Sequence, residues 1–160
     1  MTAESRNENG QPPAQTQFGS RLAVLRCIHL SLVGGVALFG GVVFHLTRGS
    51  MTFTPEFGEP MSLAAVAACV ITLLLSSVMR PRSGSAGASQ PSVQSALQKY
   101  QVFFLMRAAL IEGGALFSAA VTLVSRNILP AALFVISALA LASRRPSESE
   151  FDSLFPTGRV

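Results

Sequence analysis

The chain reads as an all-α polytopic membrane protein with four transmembrane helices, and three features predict it. Of the 160 residues 49% are apolar and only 12% charged, with a mean hydropathy of +0.47, a balance that suits a bilayer better than an aqueous domain. The apolar residues gather into four stretches, at about 23–46, 61–79, 103–125 and 127–144. Each is near the ~20 residues that a helix rising ~1.5 Å per residue needs to cross ~30 Å of hydrocarbon. None alternates in the manner of a barrel strand, and in lipid an uninterrupted span must pair its own backbone, so the stretches are expected to be helices.

Residues 1–20 (MTAESRNENGQPPAQTQFGS) are polar, rich in Asn, Gln, Pro and Ser, and without apolar period. They cannot bury enough surface to offset the entropy of ordering, which predicts a disordered tail. The first span follows and is too long for the apolar region of a cleaved signal, so it is expected to stay. The loop after it holds Gly49, Pro55, Gly58 and Pro60, with Phe53 and Phe57 expected at the membrane interface.

After the second span comes a Gly/Ser/Ala/Pro linker, within a cytoplasmic loop at 80–98, that is expected to be flexible. Its far end changes character. Ser92 is placed to cap a helix, and Val93, Ala96, Leu97 and Tyr100 follow at helical spacing, so the third helix is predicted to start several residues before its apolar span. Arg126-Asn127 leaves room only for a tight antiparallel turn into the fourth helix, where Pro130 is tolerated in the first turn. The tail at 147–160 carries SESEFDSLF, which reads either as a short interfacial turn through Phe151, Leu154 and Phe155 or as an unstructured tail.

The net charge of +4 does not point to nucleic acid, because the basic residues stand beside the ends of the spans. With the N-terminus inside, Arg6, Arg21, Arg26, Arg80, Arg82, Lys99, Arg107, Arg144, Arg145 and Arg159 fall on the inner side, and only Arg48 and Arg126 outside. That ten-to-two asymmetry predicts a multi-pass protein of the cell (inner or plasma) membrane with both termini cytoplasmic. Cys27 and Cys69 form no disulfide framework and read as small buried side chains.

Sliding the chain by 78 positions sets Leu32, Gly35, Ala37, Leu38, Phe39 and Val43 on Leu110, Gly113, Ala115, Leu116, Phe117 and Val121. The match raises the possibility of two related hairpins, in which Gly34 stands where Glu112 stands.

Glu112 is the residue most in need of explanation. It lies nine residues into the third span, about 14 Å deep at ~1.5 Å per residue. A carboxylate there costs roughly 2.5–3.5 kcal/mol on insertion scales and is expected to face the protein interior. Two readings stay open, a proton- or cation-binding carboxyl and a hydrogen-bonding group that joins helices. His29, on the first helix at similar depth, is its leading partner candidate. Arg107 is expected to snorkel to the inner headgroups, since five residues of helix turn it ~140° from Glu112.

Ala108, Ala109, Gly113, Ala115 and Ala119 give Glu112 a small-residue surround. In the first helix Gly34, Gly35 and Gly41, with Ser31 and Ala37, provide small-xxx-small spacings, and these glycines with Gly113 are the predicted helix-packing positions. No metal is expected, because Cys27 and His29 point to opposite sides of one helix and His45 stands at its far end. No cofactor and no catalytic constellation are expected either, so the chain is not read as an enzyme.

The stretch Ala109-Leu110-Ile111-Glu112-Gly113-Gly114-Ala115-Leu116-Phe117, within residues 104–125, resembles the carboxylate-bearing helix of rotary ATPase proteolipid (c-type) subunits. That resemblance implies a proton-binding role for Glu112 and a duplicated-hairpin fold. The chain departs from the family in placing the acid on the first helix of its pair, in lacking the dense glycine ladder, and in its long loop at 80–98. From the residues themselves the expected function is non-enzymatic assembly or interaction in the bilayer, with a second copy or another membrane protein as partner; the alternative is proton or cation translocation through Glu112.

Overall fold

A computed structural model describes residues 14–55, 58–79 and 93–154. The described residues form five helices: α1 (Ala14–Thr47), α2 (Pro60–Val78), α3 (Val93–Ser125), α4 (Ile128–Ser143) and a short α5 (Glu148–Leu154). Three of them, over Gly19–Thr47, Pro60–Val78 and Ser95–Ser125, are long and apolar enough to cross a membrane, and Ile128–Ser143 is a shorter apolar helix. The expected tail before residue 14, the linker at 80–92 with its Ser92 cap, Phe57 and Phe155 lie outside the described residues.

The helices start and stop where local chemistry dictates. α2 begins with Pro60 in its first turn, where the missing N–H costs no intrahelical bond. α4 is capped by Asn127, whose Oδ1 accepts from the Leu129 N–H at 3.0 Å. The single residue between α3 and Asn127 is Arg126, in the left-handed region with φ 53°, and that conformation turns the chain back within two residues. α1 starts at Ala14, inside the stretch that composition assigns to a disordered tail. The reason is tertiary: Leu22 and Leu25 pack against the early turns of α3, and extending an anchored helix outward is far cheaper than nucleating one.

α3 is the centre of the bundle and packs against α1, α2 and α4, while α4 also touches α1 and α2. Directions follow from the contacts. Leu22 and Leu25 meet Leu97, Tyr100 and Phe104, and further along Val36 meets Ile111 and Ala115, so α1 and α3 run parallel. Gly114 faces Thr72, and Cys69 Sγ lies 3.3 Å from Ser137 Oγ, which sets α2 beside both α3 and α4. α1 is packed along α3 and α4 rather than along α2, so the two hairpins suggested by the sequence offset are not packed alike.

One end of the bundle is closed by α5, and the other by the loop after α1. There Thr52 and Asn127 form a parallel bridge: the Thr52 N–H donates to the Arg126 carbonyl at 2.9 Å and the Ile128 N–H to the Thr52 carbonyl at 3.2 Å. Asn127 Nδ2 donates to Ser62 Oγ at 3.3 Å, and Ser62 donates to Glu59 Oε2 at 3.0 Å. This chain of bonds satisfies polar groups that the close approach of three segments would otherwise bury unpaired.

Candidate functional site

Two places gather the residues singled out by the sequence. The first is the groove between α1 and α3. Ile111, Ala108 and Ala115 of α3 form one cluster with Val36 of α1 and Leu141 of α4. Glu112 is one residue, about 100°, round from Ile111, on the side away from Gly114 and α2. It is therefore half-buried on the flank of the bundle, not in its interior as its depth predicts. No hydrogen bond or ion pair joins it to another described residue.

On α1 the core stripe is narrow: Leu22, Leu25, His29, Val36, Gly40, Val43 and Thr47 are buried. Val33 and Ala37 line the groove toward α4, so Gly35, ~200° from Ala37, is turned toward the opposite groove and the Glu112 flank of α3. A Cβ added at Gly34, Gly35, Gly41 or Gly113 would meet nothing. Close packing within this chain falls instead on Gly40, where an added Cβ would strike the Phe134 ring, and on Gly114, where it would strike Thr72. The small-xxx-small spacings locate the helix but not the rotation that faces inward. Cys27, expected to be buried, is exposed on the same outward side of α1, whereas Cys69 is buried.

The second place is the end closed by α5. His29 is 6% exposed and packs edge-on against Phe104, with ring centroids 5.7 Å apart. It lines a small cavity with Phe104, Arg107, Ala108, Ile111, Leu141, Arg144 and Glu150. Glu112 is not part of that wall, so the structure does not bring together the pair suggested by depth; His29 meets α3 at Phe104, two turns earlier, on a different face.

Arg107 does not reach away from the bundle. Its Nη1 lies 3.5 Å from Glu150 Oε1, and its guanidinium carbon lies 5.8 Å from the Phe103 ring centroid. The Tyr100 hydroxyl donates to Glu150 Oε2 at 3.1 Å, and Phe151 is fully buried against Tyr100, Phe104, Leu22 and Leu25. Glu150 is the residue that sequence reasoning missed. The signal available was the i, i+1 placement of Glu150 beside Phe151 in an otherwise polar tail, which becomes meaningful only when three helices supply a socket.

Two buried nitrogens at this end, His29 Nδ1 and Arg107 Nε, have no hydrogen-bond partner. The cavity beside them measures about 10 Å³, close to the space of a single water. The chain matches no known family model, no curated protein and no solved structure.

Proposed function

We propose that this protein is a non-enzymatic membrane component that acts by assembling with a second copy of itself through the α1–α3 groove. The observation that carries the reading is the half-buried Glu112 carboxyl, without a partner among the described residues, beside the open Gly35 flank of α1. Magnitudes support an interface over an isolated chain. An unpaired charge near the bilayer centre costs roughly 2.5–3.5 kcal/mol, whereas one interhelical hydrogen bond contributes ~0.6 kcal/mol on average. Covering the carboxyl and removing it from lipid is thus worth more than the bond that it forms, and a glycine flank lets a second backbone come close enough to do so.

The charge distribution supports four crossings of the cell membrane, with the α5 end on the cytoplasmic side. A second reading, proton or cation binding by Glu112, is favoured by the same partial exposure, which leaves the carboxyl reachable.

Size measurement in maltoside micelles tests the first reading. The native chain should be oligomeric, Gly35→Leu should shift it toward monomer, and Glu112→Gln, which keeps a hydrogen-bonding amide, should remain assembled. A native chain that is monomeric at every concentration would sink the proposal. Carbodiimide labelling of Glu112 tests the second: protection by sodium, or loss of a cellular phenotype in a folded and assembled Glu112→Gln variant, would favour ion binding.

A further inference from the structure

The cavity at the α5 end is lined by more donors than its one lining acid satisfies. Arg107 from α3 and Arg144 from the end of α4 line the same cavity as His29 from α1, and Arg145 lies within electrostatic reach of His29. Among the residues that line this cavity Glu150 is the one acid, and its contact with Arg107 at 3.5 Å is long beside the ~2.7–2.9 Å of a good guanidinium–carboxylate bond. Arg107 Nε and His29 Nδ1 remain buried and unpartnered while that carboxylate is in place. His29 is more than nine-tenths buried and lines the same cavity.

We propose that His29, Arg107 and Arg144 form a binding site for a phosphate oxyanion, and that Glu150 occupies it as an internal stand-in carried on the detachable helix α5. A tetrahedral phosphate offers more acceptor oxygens than a carboxylate, in more directions. It can take the Arg107 fork through both Nε and Nη, hydrogen-bond the His29 ring, and meet Arg144. The cavity beside Glu150 has room for one water, so entry of phosphate requires α5 to lift. The 144–147 segment between α4 and α5 gives it the hinge to do so. Phosphate can come from a lipid headgroup or from free solute, and the chemistry of recognition is the same.

The chain carries its own reporter, because Tyr100 is its single tyrosine and there is no tryptophan. The Tyr100 hydroxyl bonds Glu150 itself, so displacing that carboxylate changes the emission of the whole protein at this one place. The test uses the full chain in maltoside micelles, titrated separately with inorganic phosphate and with phosphatidylglycerol, with diacylglycerol, which carries no phosphate, as the control. Tyr100 emission should change saturably with at least one phosphate source. Saturation by both means that the free anion suffices, and saturation by phosphatidylglycerol alone identifies a lipid site.

Removing the internal competitor raises the fraction of open site, so Glu150→Gln should bind about tenfold more tightly. Arg144→Gln should bind about tenfold more weakly, as expected for loss of one charge-assisted contact. Circular dichroism checks the helicity of each variant. Native mass spectrometry of the unmodified chain counts retained lipid, so the result does not depend on any variant folding. No saturable change with either phosphate source in both the native chain and Glu150→Gln would overturn the proposal, as would an equal response to diacylglycerol or equal affinities of those two chains.

Discussion

At the scale of single residues, neighbouring glycines in this protein have opposite roles, and rotation about the helix axis decides which. Gly40 faces inward against Phe134, while Gly34 and Gly41 face out with open space beside them. Gly40→Val should therefore overpack the α1–α4 contact and cost about 1–3 kcal/mol. Gly34→Ala should instead gain about 0.5–1 kcal/mol, because alanine restricts the unfolded chain and meets no obstacle here. Thermal unfolding in maltoside checks both, and equal effects would mean that the two faces are not distinguished as described. Gly114 belongs with Gly40, since the Thr72 hydroxyl opposite it is fixed by bonds to the Ala68 and Cys69 carbonyls and cannot easily give way. Sequence spacing made the glycines of α1 visible as a set. It could not tell Gly40 from Gly41, because a difference of one position is ~100° of rotation and α1 is apolar on every side.

At the scale of elements, the three long helices were legible because hydropathy over some twenty residues is a strong signal. The connections were legible in proportion to their local chemistry. The α3–α4 turn follows from Arg126-Asn127, and its structure adds that Asn127 serves two elements, capping α4 and donating to Ser62 of α2. Asn127→Ala should cost about 1–3 kcal/mol, combining a lost cap with a lost hydrogen bond to the buried Ser62 hydroxyl. Asn127→Asp, which keeps the capping oxygen, should recover part of it in the same unfolding assay. α5 was legible only as one of two alternatives, since seven residues cannot hold a helix alone and its stability lies in the socket for Phe151. Phe151→Ala forfeits roughly 1.5–3 kcal/mol of burial and should undock α5 alone. Protease cleavage within 148–154 should then rise about 10- to 100-fold, with little change in the melting of the bundle. Resistance equal to that of the native chain would show that Phe151 does not anchor the helix. Glu112 was visible as an outlier in an apolar span, but its half-buried flank position depended on which face of α3 each of three neighbours covers, and no local pattern encodes that.

At the scale of the whole molecule, the shortest apolar helix decides where the C-terminal end stands. α1 and α3 run together and α4 returns from the turn at Asn127, so the end that carries α5 also carries Arg21, Arg26, Lys99, Arg107, Arg144 and Arg145, while Arg48 and Arg126 mark the other. We propose that such an asymmetry orients the α5 end toward the cytoplasm. The 16 residues of α4 rise only ~24 Å against ~30 Å of hydrocarbon. A crossing by α4 then requires local thinning, or its Asn127 and Arg144 ends standing within the interfacial layer. If α4 crosses, α5 lies on the cytoplasmic side; if α4 turns back inside the bilayer, α5 lies outside with the Thr52 loop. Thiol accessibility separates these outcomes once the native thiols are removed, with Cys27→Ala on the exposed face and Cys69→Ser keeping a hydroxyl opposite Ser137. In that background, Ser50→Cys should react with a membrane-impermeant maleimide in intact cells, and Ser153→Cys only after permeabilisation. Labelling of both positions in intact cells would show that α4 does not cross, and the reverse pattern would show that the charge asymmetry does not set the orientation of this chain.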